Sequence, residues 1–324
     1  MIITRTPYRV SFFGGGTDLK PWYSEYGGAV LTSTIDKYCY ICARYMPAFL
    51  GSKYRVFWSK METVDRVEDI QHPGVRACLQ YLGVDEGFEV NHCGDLPARA
   101  GLGSSSAFTV GMLYALYTLR GYHMPKEGLA GAAVHVEQEV LKETVGIQDQ
   151  IQCAIGGLNV IRIARSGDWD CRRVEVSPET MSALEGRLML FWTGLQRTSS
   201  AIAADTVAAL PHSTDNMSAI QWLVDEAVDK LYKKKLNVFG ELLHEAWIRK
   251  QRLSPLICTP EIFNIYEAAR HAGSLGGKLL GAGGGGFMLL YTPPDRQQAV
   301  RQALTGLLEV PFRFETEGTR LVLS

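Results

Sequence analysis

The chain has 324 residues, 46% hydrophobic and 21% charged, the balance of an ordinary globular protein long enough for two domains and a sizeable core. Lys and Arg total 33 against 34 Asp and Glu, a formal net charge of −1, so nothing in the charge calls for nucleic acid or an anionic membrane as partner. Residues 1–7 carry no apolar leader core, and the longest apolar run near the C-terminus, 286–291, is far too short to span a bilayer, so a cytoplasmic location is expected.

Residues 6–13 alternate Tyr8, Val10 and Phe12 with Arg9, Ser11 and Phe13, the period of a strand. The strand runs into Gly14-Gly15-Gly16-Thr17-Asp18, where consecutive glycines stop it and bring the backbone close to another group. Asp18 then either caps the next segment or accepts hydrogen bonds from ligand hydroxyls. Gly27-Gly28 is a turn before a β-rich stretch over 29–45, and 54–59 reads as a further strand. Cys39 and Cys42 form a C-x-x-C inside that β-rich stretch, without a second such pair or a His pair at ligand spacing. The 7 cysteines therefore read as scattered reduced thiols rather than a metal or redox site. A short helix closed by Gly83 is expected over 74–82 and a strand over 88–93.

Between that strand and a helix predicted over 105–119 lies Leu96-Pro97-Ala98-Arg99-Ala100-Gly101-Leu102-Gly103-Ser104-Ser105-Ser106-Ala107. The helix rests on Phe108, Met112, Leu116 and Leu119 at helical spacing. Gly101 and Gly103 permit a tight turn that aims several N–H groups at one spot, and the serines cap the helix and supply hydroxyls. The helix N-terminus adds unpaired donors and a positive dipole end, so an anion, most naturally a polyphosphate, fits there. Taken alone, the segment is equally a glycine-rich lead-in to a serine-capped helix.

A long helix is expected over 126–143, with Leu129, Ala133, Val136 and Val140 on one face and Glu137 beside that face, where a lone glutamate is ordinarily solvated. Gly146 breaks it, and Asp149 is placed to cap a helix running to 154. Segments 158–163 and 171–176 read as a strand pair, and 188–192 as a strand opening onto residues 193–200. Helices follow over 200–210, 215–234, 237–253 and 260–272, with Lys233-Lys234-Lys235 a solvated helix end. A strand at 278–280, the loop Gly281-Ala282-Gly283-Gly284-Gly285-Gly286, a strand at 287–291, a helix over 295–307 and a closing strand from 311–314 complete the chain. The composition shift places the domain break between 176 and 200, giving 1–185 and 186–324.

The loop 281–286 satisfies G-x-G-x-x-G, but a strand rather than a helix follows it, which rules out a Rossmann dinucleotide site. The loop at 101–106 lacks the lysine of a Walker A loop. Three glycine loops with a serine cluster and scattered carboxylates nevertheless supply what phosphoryl transfer needs. Backbone N–H groups at 101–106 serve the phosphates, a serine hydroxyl and Glu137 serve Mg²⁺, and Asp149 or Asp18, with Arg9, stands near an attacking hydroxyl.

On these residues the sequence resembles the GHMP kinases, the family of galactokinase, homoserine kinase, mevalonate kinase and phosphomevalonate kinase. Residues 7–18 are similar to its N-terminal substrate motif, 97–107 to its P-x-x-x-G-L-G-S-S-x-A loop and 278–287 to its C-terminal glycine loop. The resemblance implies an α+β, two-domain architecture, with a ribosomal S5 domain 2-like N-terminal domain and a ferredoxin-like C-terminal domain. It implies ATP and Mg²⁺, with Gly101, Leu102, Gly103, Ser104, Ser105 and Ser106 around the phosphates and Ser105 and Glu137 on the metal. It further implies Asp149 as base, Arg9 as the cation at the alkoxide, and Gly15, Gly16, Thr17, Asp18, Gly283 and Gly284 around the acceptor. Arg197, at a helix start with Thr198 and Ser199, is the candidate for an acceptor phosphate. The run Arg9-Val10-Ser11-Phe12-Phe13-Gly14-Gly15-Gly16-Thr17-Asp18 is most similar to the branch acting on heptose 7-phosphate at its anomeric hydroxyl, which feeds surface polysaccharide synthesis. It departs from the Glu-His-Thr-Asp pattern of galactokinases. Another sugar or sugar phosphate as acceptor, and a non-catalytic sugar sensor, are the alternatives.

Overall fold

A computed structural model of the chain describes residues 1–98, 100–195 and 199–323. The alternating N-terminal segment forms β1 (Ile2–Phe13), and the β-rich stretch forms one long antiparallel partner, β2 (Gly28–Tyr45). A hairpin of β3 (Tyr54–Phe57) and β4 (Met61–Val64) follows, where the sequence suggested one strand, and β3 lies parallel to β5 (Phe88–Gly94). β2 is long enough to serve two neighbours on its other edge. Residues 39–45 pair with β5, and residues 28–33 pair with β6 (Leu158–Ile163), itself paired with β7 (Trp169–Arg173).

The second sheet contains β8 (Leu188–Trp192), β9 (Gly276–Leu279), β10 (Phe287–Tyr291) and β11 (Leu308–Glu309), in the order β11-β8-β10-β9 with every pairing antiparallel. In β10, Phe287, Leu289 and Tyr291 enter one hydrophobic cluster, and Met288 and Leu290 enter another. Both faces of the strand are covered, which is why its sequence is apolar without alternation. The closing strand expected at 311–314 is instead two short ones, β12 (Phe314–Glu315) on β2 and β13 (Arg320–Leu323) on β1. The tail of the segment assigned to a second domain over 186–324 therefore belongs to the first sheet.

The helix Ser104–Leu119 packs on β1 and β2 and is buried from Ser106 to Met112 and beyond, as its lack of a polar face requires. The helix expected over 126–143 is α-helical only over Lys126–His135 and continues as a π turn, Val136–Val140, a distortion frequent at functional sites. A helix absent from the sequence reading, Pro178–Glu185, is capped by the Ser177 side chain. Phe239, on the helix Leu236–Gln251, meets Phe12 and Phe13 edge-on with ring centroids 5.8 and 5.1 Å apart and joins the two halves of the molecule. Among the described residues, no helix is long and apolar enough to cross a membrane.

Candidate active site

The loop 101–106 stands at the N-terminus of the helix Ser104–Leu119. Gly103, left-handed at φ 74°, occupies the cap position and no side chain caps it, so the expected serine cap is not formed. Ser104, Ser105 and Ser106 instead line the cleft with the positive end of the helix dipole. Gly101 must be glycine, because a methyl group there would lie 2.3 Å from the Leu280 carbonyl oxygen. A methyl group on Gly281 would in turn sit 2.5 Å from the Gly101 Cα, so the third glycine loop is pressed directly against the first. Leu102 is buried, and its carbonyl accepts the Arg9 backbone N–H at 3.0 Å.

Arg9 projects from β1 into the space beneath this loop. Its Nε and Nη2 donate to the two carboxylate oxygens of Asp149 at 2.7 and 2.6 Å, and its Nη1 donates to the Gly101 carbonyl at 2.7 Å. Arg9 is 4% exposed, so its charge requires a fixed partner, while the Asp149 side chain keeps 23% of its surface open on the cleft. Asp149 lies in the first turn of the helix Gln148–Ile155 but does not cap it. Ile147 holds that position, and the expected capping role gives way to the bidentate pair.

Glu137 sits in the π turn, 1% exposed, where Ser106 Oγ donates to its Oε2 at 2.9 Å and Gln150 Nε2 donates to the same oxygen at 2.5 Å. The serine that meets Glu137 is therefore Ser106, whereas Ser105, expected as the metal hydroxyl, is exposed. One residue is a 100° turn on a helix, which decides which of three serines faces the carboxylate. Burial pushes the Glu137 carboxyl up to about 7. Among the described residues its buried Oε1 has no hydrogen-bond partner, an orphaned oxygen such as a cation would satisfy. Among the described residues there is no cluster of three or more His, Cys, Asp or Glu for a metal. One carboxylate and one hydroxyl suit Mg²⁺, which takes few protein ligands when phosphates complete its shell.

Opposite the loop, Asp18 is 3% exposed and accepts from the Gly16 N–H and Gln148 Nε2, each at 3.0 Å. It does not cap the helix Lys20–Tyr26, whose cap residue is Leu19. Burial, and then the nearby Asp149 charge, raise its carboxyl above the usual range. A methyl group on Gly146 would lie 1.8 Å from Asp18 Oδ2, so that glycine makes room for the carboxylate rather than merely ending a helix. Gly15, Gly16 and Gly283 line the cleft. Thr17, expected at the acceptor, spends its hydroxyl on the Gly14 and Ala29 carbonyls at 2.7 and 2.9 Å, and Gly284 is held by its N–H to the Ile257 carbonyl at 2.9 Å; neither lines the cleft. Arg197 and Thr198 lie outside the described residues.

Four groups escaped the sequence reading. Ser11 Oγ and Gln148 Oε1 are buried on the cleft wall and have no hydrogen-bond partner among the described residues. Lys278, in β9, donates to the Phe12 carbonyl at 3.0 Å, and Lys250, at the end of the helix Leu236–Gln251, donates to the Gly281 and Leu279 carbonyls. A lysine within an apolar strand was a readable signal for Lys278. Lys250 stood in the charged run Arg249-Lys250-Gln251-Arg252 and carried none.

Sequence comparison matches residues 72–157 to the GHMP kinases N terminal domain and residues 227–309 to the GHMP kinases C terminal domain. A curated D-glycero-alpha-D-manno-heptose 7-phosphate kinase of Campylobacter jejuni is 26% identical over 341 residues, covering 98% of each chain. A mevalonate kinase of Pyrococcus horikoshii is 29% identical over 247 residues, covering 72% of this chain and 69% of its own. Among solved structures, a D-glycero-D-manno-heptose 1-phosphate kinase from Bacteroides thetaiotaomicron superposes with a TM-score of 0.82 at 20% identity, covering 100% of this chain and 99% of the other. A Lactococcus lactis galactokinase with galactose superposes at 0.76 and 19% identity, covering 98% and 94%. These superpositions bear out the expected two-domain α+β fold.

Proposed function

This chain belongs to the GHMP kinase family, phosphotransferases that move a phosphoryl group from ATP to an alcohol, and from that premise we propose that its acceptor is D-glycero-D-manno-heptose 7-phosphate and its product the 1,7-bisphosphate. The observation that carries the chemistry is the Arg9–Asp149 pair set against the phosphate loop through the Gly101 carbonyl. The choice of acceptor rests on the likeness to the Campylobacter heptose kinase along nearly the whole of both chains. The product would supply nucleotide-activated heptose for surface polysaccharide.

In this reading the loop 101–106 and the helix N-terminus hold the ATP phosphates. Glu137 and Ser106 are the residues that would hold Mg²⁺, which would supply positive charge to neutralise the phosphates. Asp149 accepts the proton of the acceptor hydroxyl as the new P–O bond forms and the bond to the β–γ bridging oxygen breaks, releasing ADP. An anomeric hydroxyl is more acidic than an ordinary alcohol, which suits a carboxylate base. Arg9 fixes the orientation of that carboxylate through two hydrogen bonds. Asp18, with Gln148 and Ser11 beside it, takes acceptor hydroxyls, and Arg197 takes the acceptor phosphate.

The test is ADP release measured with heptose 7-phosphate, unphosphorylated heptose, fucose, galactose and mevalonate as acceptors. The heptose phosphate should exceed the others in kcat/KM by roughly 100-fold or more, since a site built to bond a polar group rejects ligands lacking it. Phosphorus NMR of the product should show a phosphate on the anomeric carbon. Preference for fucose would favour the second reading, motivated by a 26% match over 92% of this chain to 30% of an Arabidopsis thaliana bifunctional fucokinase.

A further inference from the structure

Arg9 is the cation paired with Asp149, and most of its hydrogen-bonding capacity is committed. Of its five guanidinium N–H groups, one on each nitrogen is already spent, two on Asp149 and one on the Gly101 carbonyl. That geometry holds the carboxylate and the loop in place. It leaves two N–H groups, one on each terminal nitrogen, to meet the charge spread over the three oxygens of a phosphoryl group in flight, and other cations must supply the rest.

Lys250 is the residue placed to do so. On the last turn of its helix, neighbouring Arg249 turns outward to Glu245 at 2.7 Å, while Lys250 turns inward onto the Gly281 carbonyl. Gly281 is in van der Waals contact with Gly101, and the Gly101 carbonyl is the one Arg9 holds. The Lys250 ammonium thus reaches the seam between the phosphate loop and the third glycine loop, on the wall shared with Arg9 and Asp149. Among the described residues, no carboxylate lies within 4.0 Å of it, and the partners seen are backbone carbonyls. On the same wall Lys278, 5% exposed, donates to the Phe12 carbonyl, and burial pulls its ammonium well below the usual lysine range. Asp149 is already in the fork of Arg9, and Asp18, the carboxylate whose charge acts on Lys250, is bonded to Gly16 and Gln148. A cation so placed is costly without an anion, and the opening it faces is where one arrives. Burial, and then the Arg9 charge, pull its ammonium down to about 8, as expected of a positive group awaiting a partner.

We propose that Lys250 donates to the non-bridging oxygens of the phosphoryl group during transfer, as the cation that Arg9, engaged with Asp149 and Gly101, does not supply. This rests on the kinase reading above. Lys250 keeps its proton throughout: the acceptor proton goes to Asp149, and the electron pair of the breaking bond goes to ADP.

The test uses the full chain with Lys250→Met and Lys250→Arg, first confirming ADP affinity and unchanged thermal midpoints. Lys250→Met should lower kcat by about 10²–10³-fold, the range for losing one donor at developing charge, with both KM values within about threefold of wild type. Lys250→Arg should recover most of the loss. The wild type should bind ADP with aluminium fluoride, a mimic of the phosphoryl group in transfer, more tightly than ADP alone, and Lys250→Met should lose that gain while binding ADP normally. An unchanged kcat overturns the proposal. So does a rise confined to the acceptor KM, which would assign Lys250 to the acceptor's own phosphate, and so does equal weakening of both ADP complexes, which would make it a brace. A wild type that phosphorylates no acceptor would sink the kinase reading instead, and the aluminium fluoride measurement would still judge Lys250.

Discussion

Replacing Asp149 with asparagine separates the chemical role of the Arg9–Asp149 pair from its structural one. Asparagine keeps the shape and one acceptor oxygen, but removes the charge and the second of the hydrogen bonds now at 2.7 and 2.6 Å. Removing one partner of a buried ion pair costs about 3–5 kcal/mol because the other charge is stranded. Here the carboxylate is 23% exposed and the Gly101 carbonyl still receives Arg9, which brings the expected stability loss down to about 2 kcal/mol, or roughly 4 °C in Tm for a chain of this size. Loss of the proton acceptor should cost more, about 10²–10⁴-fold in kcat, or about 3–5 kcal/mol of barrier. The assay is steady-state ADP release, with ATP affinity measured by titration calorimetry, for Asp149→Asn, Arg9→Met and the double variant. ATP affinity should stay within about threefold of wild type for Asp149→Asn, and the double variant should be much less impaired than the product of the single losses, because the two groups act as a unit. A kcat within about threefold of wild type for Asp149→Asn, or fully additive losses, would refute the assignment of Asp149 as base held by Arg9.

Ser106→Ala should reduce kcat by about tenfold or more and raise the Mg²⁺ concentration needed for half-maximal rate, since it removes the hydroxyl bonded to Glu137, while Ser105→Ala should stay near wild type in the same titration. Arg197→Ala should raise KM for the sugar phosphate by roughly tenfold and leave KM for ATP alone; a shift confined to ATP would oppose its assignment to the acceptor phosphate. His92, on β5 against the Phe108 ring at 4.9 Å, is pulled down to about 4 by burial and then by His72. Between about 4 and 6.5 the unfolded chain binds the proton and the folded chain does not, so this group's contribution to stability is present above 6.5 and is lost as pH falls toward 4. Discounted for partial exposure, the loss is about 1–2 kcal/mol, and the gap between the unfolding free energies from urea titration at pH 7 and pH 4.5 should narrow by that amount in His92→Gln.

The amino-acid sequence by itself determined the reaction class and most of the frame. Glycines at 101 and 103 before a serine-started helix state an anion site in local terms, because backbone N–H groups and a helix N-terminus do the binding. The strands over 88–94 and 287–291 and the long helices of the second half were likewise legible, since their hydrophobic period is a local property. What it left undecided were facts of approach between distant segments. Which serine meets Glu137 depends on helix phase and on the π turn, which no spacing announces. Asp18 and Asp149 had the local look of helix caps, and only the folding of β1 beneath the loop 101–106 turned one toward Gln148 and the other toward Arg9. The return of residues 314–323 to the first sheet rests on pairings with partners near 3–5 and 34–35, too short and too remote to read from periodicity. Lys250 is the plainest case. Beside Arg249 and Arg252 it looks like helix-end solvent charge, and it becomes a group of the site because the helix axis aims that one residue of the run at Gly281. The loop at 101–106 could therefore be recognised from its own residues, but the charges that give it something to do were assembled only by the tertiary fold.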